Sequence, residues 1–91
     1  MTPTIGRIVH YTLSEYDAQQ IERQRPLVVD GRQVRNSAQA GDVFPALIVR
    51  TFDPSVSTVN LKILFDGEGE YWATSRQEGD GEGRWFWPPR V

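Results

Sequence analysis

The sequence predicts a mainly β fold: a small antiparallel, SH3-like barrel or curled sheet of five to six strands, with one short helix at about residues 15–25. Three observations carry that prediction. Apolar and polar residues alternate along several short runs, the two-residue period of a half-buried strand. Glycine-bearing turns such as "DG" and "GDG" separate the runs, as tight antiparallel connections require. One segment, "SEYDAQQIERQR", carries helix start and stop signals of the expected kind.

The first strand is read over Ile5 to Leu13, with Ile5, Val9, Tyr11 and Leu13 on one face and Ile8, His10 and Thr12 on the other. Ser14, with Asp17 three residues on, starts the helix as a capping box, and Pro26 stops it. Its apolar face (Tyr16, Ala18, Ile21) is thin, which predicts a surface strap rather than half of a core. Residues 27–42 read as a weak hairpin around Asp30-Gly31 or an irregular excursion. Val43 to Phe52 is a strand whose interior, Leu47 to Val49, is continuously apolar, as expected where both faces are covered. Val59, Leu61, Ile63 and Phe65 alternate against Asn60, Lys62 and Asp66 in the next strand, and the "DGEGE" turn pairs it with "YWATSR". After "EGDGEG", the run "RWFWP" is expected to pair back on "YWATSR", with Trp85 and Trp87 on one face and Phe86 on the other. Pro88 and Pro89 end it, having no N–H to donate.

Ninety-one residues suit a single domain spanning 1–91, which at this size buries about 60–65% of its unfolded surface and gains from oligomerisation. The chain has no cysteine, which removes disulfides, thiolate metal sites and a cysteine nucleophile together. The opening "MTPTIGRIVHYTL" has neither a basic leader nor a long apolar run, and nothing approaches the roughly 20 apolar residues that cross a bilayer. A soluble intracellular protein without membrane contact is expected.

Net charge is −2, but Asp66, Glu68, Glu70, Glu78, Asp80 and Glu82 face Arg76 alone between residues 66 and 82. That region repels duplex nucleic acid. Of the ten basic residues, Lys62 alone is lysine. A GC-rich coding genome, which favours arginine over lysine codons, is the preferred explanation of the ratio, so an arginine counts only where its strand aims it at a pocket.

Trp72, Thr74 and Arg76 are expected on one face, with Trp85 and Trp87 coming from the partner strand. Two readings remain open: the tryptophans close one end of a core, or an indole forms a stacking platform with Arg76 or Arg84 near a phosphate. His10 is the one histidine. It lacks a second ligand at metal spacing and an orienting carboxylate, so neither metal binding nor base catalysis is expected. The glycines match no dinucleotide or P-loop fingerprint and the serines no nucleophile elbow. An enzyme is not expected, nor is a cofactor.

The segments "IGRIVHYTLSEYDA", "AGDVFPALIVR", "VNLKILFDGEGEYWATS" and "GEGRWFWPPRV" together resemble a family of small bacteriophage and prophage proteins. The resemblance implies a phage or prophage origin, a compact single domain and the host bacterial cytoplasm as its place of action. On that basis the leading expectation is a non-enzymatic, homo-oligomeric binding module. It would sequester a small anionic ligand, a linear or cyclic nucleotide, as an immune-signal sponge. Trp72, Trp85 and Trp87 would stack; Arg50, Arg76 and Arg84 would neutralise phosphate; His10, Tyr11 and Thr74 would donate hydrogen bonds. The alternative is a virion or assembly component, or an inhibitor docking on a host protein through a strand edge and the aromatic C-terminal segment.

Overall fold

The computed structural model describes residues 1–89. In chain order the elements are β1 (Ile8–Thr12), α1 (Glu15–Gln24), β2 (Val28–Val29), β3 (Arg32–Gln33), β4 (Val43–Thr51), β5 (Val59–Leu64), β6 (Glu70–Arg76) and β7 (Trp85–Phe86). Five strands form one antiparallel sheet in the order β6-β5-β4-β1-β7, and β2 and β3 form a separate two-stranded ribbon. The protein is thus mainly β with one helix, a curled sheet and not a closed barrel.

Alternation builds the core. Val9, Tyr11 and Leu13 from the β1 segment, Ala46 and Ile48 from β4, Val59, Leu61 and Ile63 from β5, Tyr71 and Ala73 from β6, and Trp85 from β7 all bury against one another. The helix closes this concave side as a strap. Its buried positions are Asp17 and Ile21, four residues apart and so on one face, while Tyr16 stays exposed. Ile5 also lies outside the core: the left-handed turn at Gly6 (φ 93°) breaks the strand before it.

The C-terminal pairing differs from the expected hairpin. β7 pairs with β1, placing Phe86 opposite His10 and Trp85 opposite Tyr11, and does not fold back along β6. The cause lies at the end of β6, where Ser75 takes φ 58° and Thr74 and Ser75 together fill the space opposite Asn60, a β-bulge. Asn60 Oδ1 accepts the Ser75 N–H at 2.8 Å and holds the bulge. Beyond it the glycine-rich loop crosses the open end, and β7 lands on β1. Gly79 N–H then donates to Trp85 O (2.9 Å) and Trp85 N–H to Gln77 O (3.2 Å), so the segment leaving β6 bonds to β7 while β6 itself does not pair with it.

The 26–42 excursion contains the hairpin turn at Asp30 (φ 52°) and Gly31 (φ 76°), both left-handed as a type I′ turn requires. Arg35 anchors it. Its side chain is fully buried and donates through Nε and Nη2 to Arg25 O, the helix C-cap, at 3.1 and 2.6 Å, a cation at the negative helix end.

Candidate functional site

Of the nine residues expected to share a ligand site, three are built into the interior. Trp85 is fully buried and its indole N–H donates to Ser57 O at 3.0 Å, the satisfied polar handle of a core tryptophan. Tyr11 is also fully buried, and its hydroxyl donates to Asp17 Oδ2 at 2.6 Å. Arg76 leaves the face of Trp72 and Thr74 because the bulge inverts the alternation after Ala73. Its Nε donates to Tyr11 Oη at 2.7 Å and its Nη2 to Asp17 Oδ1 at 2.8 Å, while Nη1 donates to Thr74 O at 2.6 Å.

Asp17 is the hub of this network. Its Oδ2 also accepts the Ser14 N–H at 3.0 Å, and its own N–H donates to Ser14 Oγ at 3.1 Å, completing the expected capping box. Burial by itself would raise the Asp17 pKa, but hydrogen bonds from Tyr11, the Ser14 backbone and Arg76 outweigh it and hold the carboxyl below its ordinary range. Burial and the bond to Asp17 push the Tyr11 phenol well above its usual value. A charge-paired, hydrogen-bonded cluster of this kind fixes the helix across the gap between β1 and β6; its polar atoms are spent on one another.

The other expected site residues do not converge. Trp87 packs half-buried on the core edge, its ring 5.3 Å from Trp85 in an edge-on contact and 5.2 Å from the Arg7 guanidinium. Arg84 lines a small polar cleft with Ser75, Gln77, Glu82 and Gly83. Arg50 is exposed and lies over Phe52 at 5.6 Å. His10 meets Phe86 edge-on at 5.5 Å. Thr74 and Trp72 are exposed on β6, Trp72 at 62%, so Trp72 stands apart from the other two indoles. A groove of about 510 Å³ between α1 and residues 38–40, lined by Ala18, Gln19, Ala38 and Ala40 among others, contains none of the nine.

No protein-family model, curated protein or solved structure matches this chain. The surface itself therefore carries the functional argument.

What the fold does assemble is an apolar outer face on the sheet. Cross-strand register aligns Ile8 with Leu47, Leu47 with Lys62 and Lys62 with Trp72. A second row aligns Phe86, His10 and Pro45. Ile8 and Val43 are about half exposed, at 50% and 48%, and Leu64 at 36%. Lys62 is the one cation in these rows, and it reaches 3.8 Å from Glu70, leaving its stem along the face between Leu47 and Trp72. No described element packs over this side of the sheet. The apolar run Leu47–Val49, expected to be covered on both faces, is covered on one: Ile48 is buried, while Leu47 and Val49 remain partly open. Asp17 and Arg35 were the residues that sequence reasoning missed. The capping pattern marks Asp17 as a helix-start acid, and its four-residue spacing to the apolar Ile21 is the signal of its burial.

Proposed function

We propose that the protein is a non-catalytic docking module that binds another protein through the outer face of its sheet. The observation that carries this reading is the row Ile8–Leu47–Lys62–Trp72, in which Trp72 stands 62% exposed on the outer strand beside Lys62. Exposed apolar surface bordered by polar groups is what protein interfaces are made of, and an exposed tryptophan is a common energetic anchor. Lys62, between Leu47 and Trp72, and its partner Glu70 supply orientation more than affinity.

The arrangement favours this docking reading over the capture of a small anion. Tyr11 and Trp85 have no free surface and Arg76 is paired with Asp17, so these three would have to give up their present partners to hold a nucleotide. The phage or prophage origin implied by the sequence resemblance belongs to the same proposal, with a host or virion protein as the partner.

The test is site-specific photo-crosslinking in a bacterial host, with the crosslinker at Ile8 or Pro45 on the face and at Arg23 on α1 as control. A discrete adduct from the face positions, absent from the control and lost on Leu47→Asp, is the expected result. Equal labelling from all three positions would overturn the reading. So would native mass spectra that gain one nucleotide from a mixed nucleotide pool and lose it in Trp87→Ala.

A further inference from the structure

The outer strand β6 has an edge that no described strand covers, and its geometry is self-complementary. Phe65 N–H donates to Gly69 O at 3.2 Å, which fixes the parity of the β5–β6 ladder: Ile63 with Tyr71 and Leu61 with Ala73 are the hydrogen-bonded pairs, and Lys62 with Trp72 is not. The backbone N–H and C=O groups of Glu70, Trp72 and Thr74 consequently point away from β5. Arg76 Nη1, which reaches Thr74 O from that side, agrees with this assignment and occupies one lone pair of that carbonyl, leaving the other for a neighbouring strand. Among the described residues no strand pairs with this edge.

The opposite edge is closed. β7 has two residues, is followed by Pro88 and Pro89, and has residues 77–79 bonded to Trp85. Exposed edges are normally blunted by lysine, proline or a bulge, and β6 carries none of these from Glu70 to Ala73, before the bulge of Thr74 and Ser75. Its regular run is bounded by Gly69 (φ 97°) at one end and by the Ser75 bulge (φ 58°) at the other. Trp72 sits at the centre of that five-residue run.

We infer that β6 pairs antiparallel with β6 of a second copy of this chain, about a two-fold axis at Trp72. This register uses every residue of the regular run. It sets Trp72 against Trp72 of the second copy, an aromatic cross-strand pair, and each Glu70 against a Thr74, avoiding like charges. A two-fold at Ala73 would bring Glu70 opposite Arg76, but that guanidinium lies past the bulge and is bound to Asp17. The chosen axis also joins the two outer faces into one continuous sheet surface. The pairing does not depend on the docking reading above, since it uses backbone groups at the edge and not the face.

Sedimentation velocity and native mass spectrometry across a concentration series test it. Wild type should give a two-chain species. Thr74→Lys places a cation opposite Glu70 of the second copy and should tighten it about tenfold; adding Glu70→Lys sets like charges face to face and should weaken it by about as much. Trp72→Pro removes an outward N–H that no internal bond uses, and should give a folded monomer. Should that variant fail to fold, the two charge variants decide alone. A wild-type chain that stays monomeric at every concentration overturns the inference, as does a dimer indifferent to both charge variants. An edge that captures a different protein while the chain stays monomeric overturns it too.

Discussion

The Nη2 of Arg76 lies 2.8 Å from Oδ1 of Asp17, and these two residues, 59 positions apart, tie the end of β6 to the first turn of the helix. The carboxylate is fully buried and the guanidinium about a fifth exposed. Removing one partner leaves a buried charge unpaired, which costs about 3 kcal/mol or more. Arg76→Leu is therefore expected to lose about that much in urea unfolding, with the helix strap loosened. Arg76→Lys keeps the charge but not the fork that reaches Tyr11, Asp17 and Thr74 together, and should fall between.

The same cluster sets the response to pH. Asp17 has a folded pKa below its unfolded value, so its contribution is present above about pH 4 and is lost as pH falls through the folded value. Asp53, held low by the Ser55 backbone N–H, and Glu68, held low by Arg32, act in the same direction. The acid limb that disappears in Asp17→Asn isolates the buried group. Tyr11 behaves oppositely: its folded pKa is raised, so its contribution is intact below about pH 10 and is lost as pH climbs through the folded value. Melting temperatures against pH should fall on both sides, and Tyr11→Phe should flatten the alkaline limb.

Local patterning made most of this fold legible. The alternation through Leu61 and Ile63, the Asp30-Gly31 and Asp66-Gly67 turns and the Ser14–Asp17 box all appear where the sequence places them. What escaped is non-local. A single extra residue at Ser75 turns Arg76 from the Trp72 face to the core, and no period reports a bulge whose support comes from Asn60, fifteen positions away. The expected grouping of Trp72 with Trp85 and Trp87 is not formed for that reason, since it needs an unbroken strand and a hairpin that the bulge redirects. The burial of Arg35 was equally hidden, since its partner is the C-cap carbonyl of a helix ten residues earlier.

Gly67 is where the excursion and the β5–β6 turn meet most closely. Glu68 N–H donates to Val34 O and Asn36 N–H to Asp66 O, which brings Gly67 against the backbone of Val34 and Arg35 so that a Cβ there has no room. Gly67 also sits at φ +140°. Gly67→Ala should cost about 2–3 kcal/mol, lowering the melting temperature by about 10–20 °C. Gly31→Ala, at φ +76° with open space around it, should cost about 1 kcal/mol from backbone strain alone. Equal shifts would mean that residues 34–36 do not pack on that turn.

The three tryptophans should separate cleanly when each is replaced by alanine. Trp85 fills the core and bonds Ser57, so its loss removes transfer energy, opens a cavity and strands a carbonyl. About 3–5 kcal/mol is a large part of the stability of a domain this small. Trp87 leans half-buried on Trp85 beneath Arg7, and its loss should cost about 1–2 kcal/mol. Trp72 touches solvent over most of its surface, and below the concentration at which chains associate its loss should change stability by no more than about 0.5 kcal/mol. Urea unfolding at low protein concentration gives the order Trp85, Trp87, Trp72, and acrylamide quenching of single-tryptophan variants should rank the indoles in reverse. A Trp72→Ala chain as unstable as Trp85→Ala would place the exposed indole in the core and remove the anchor from the docking face.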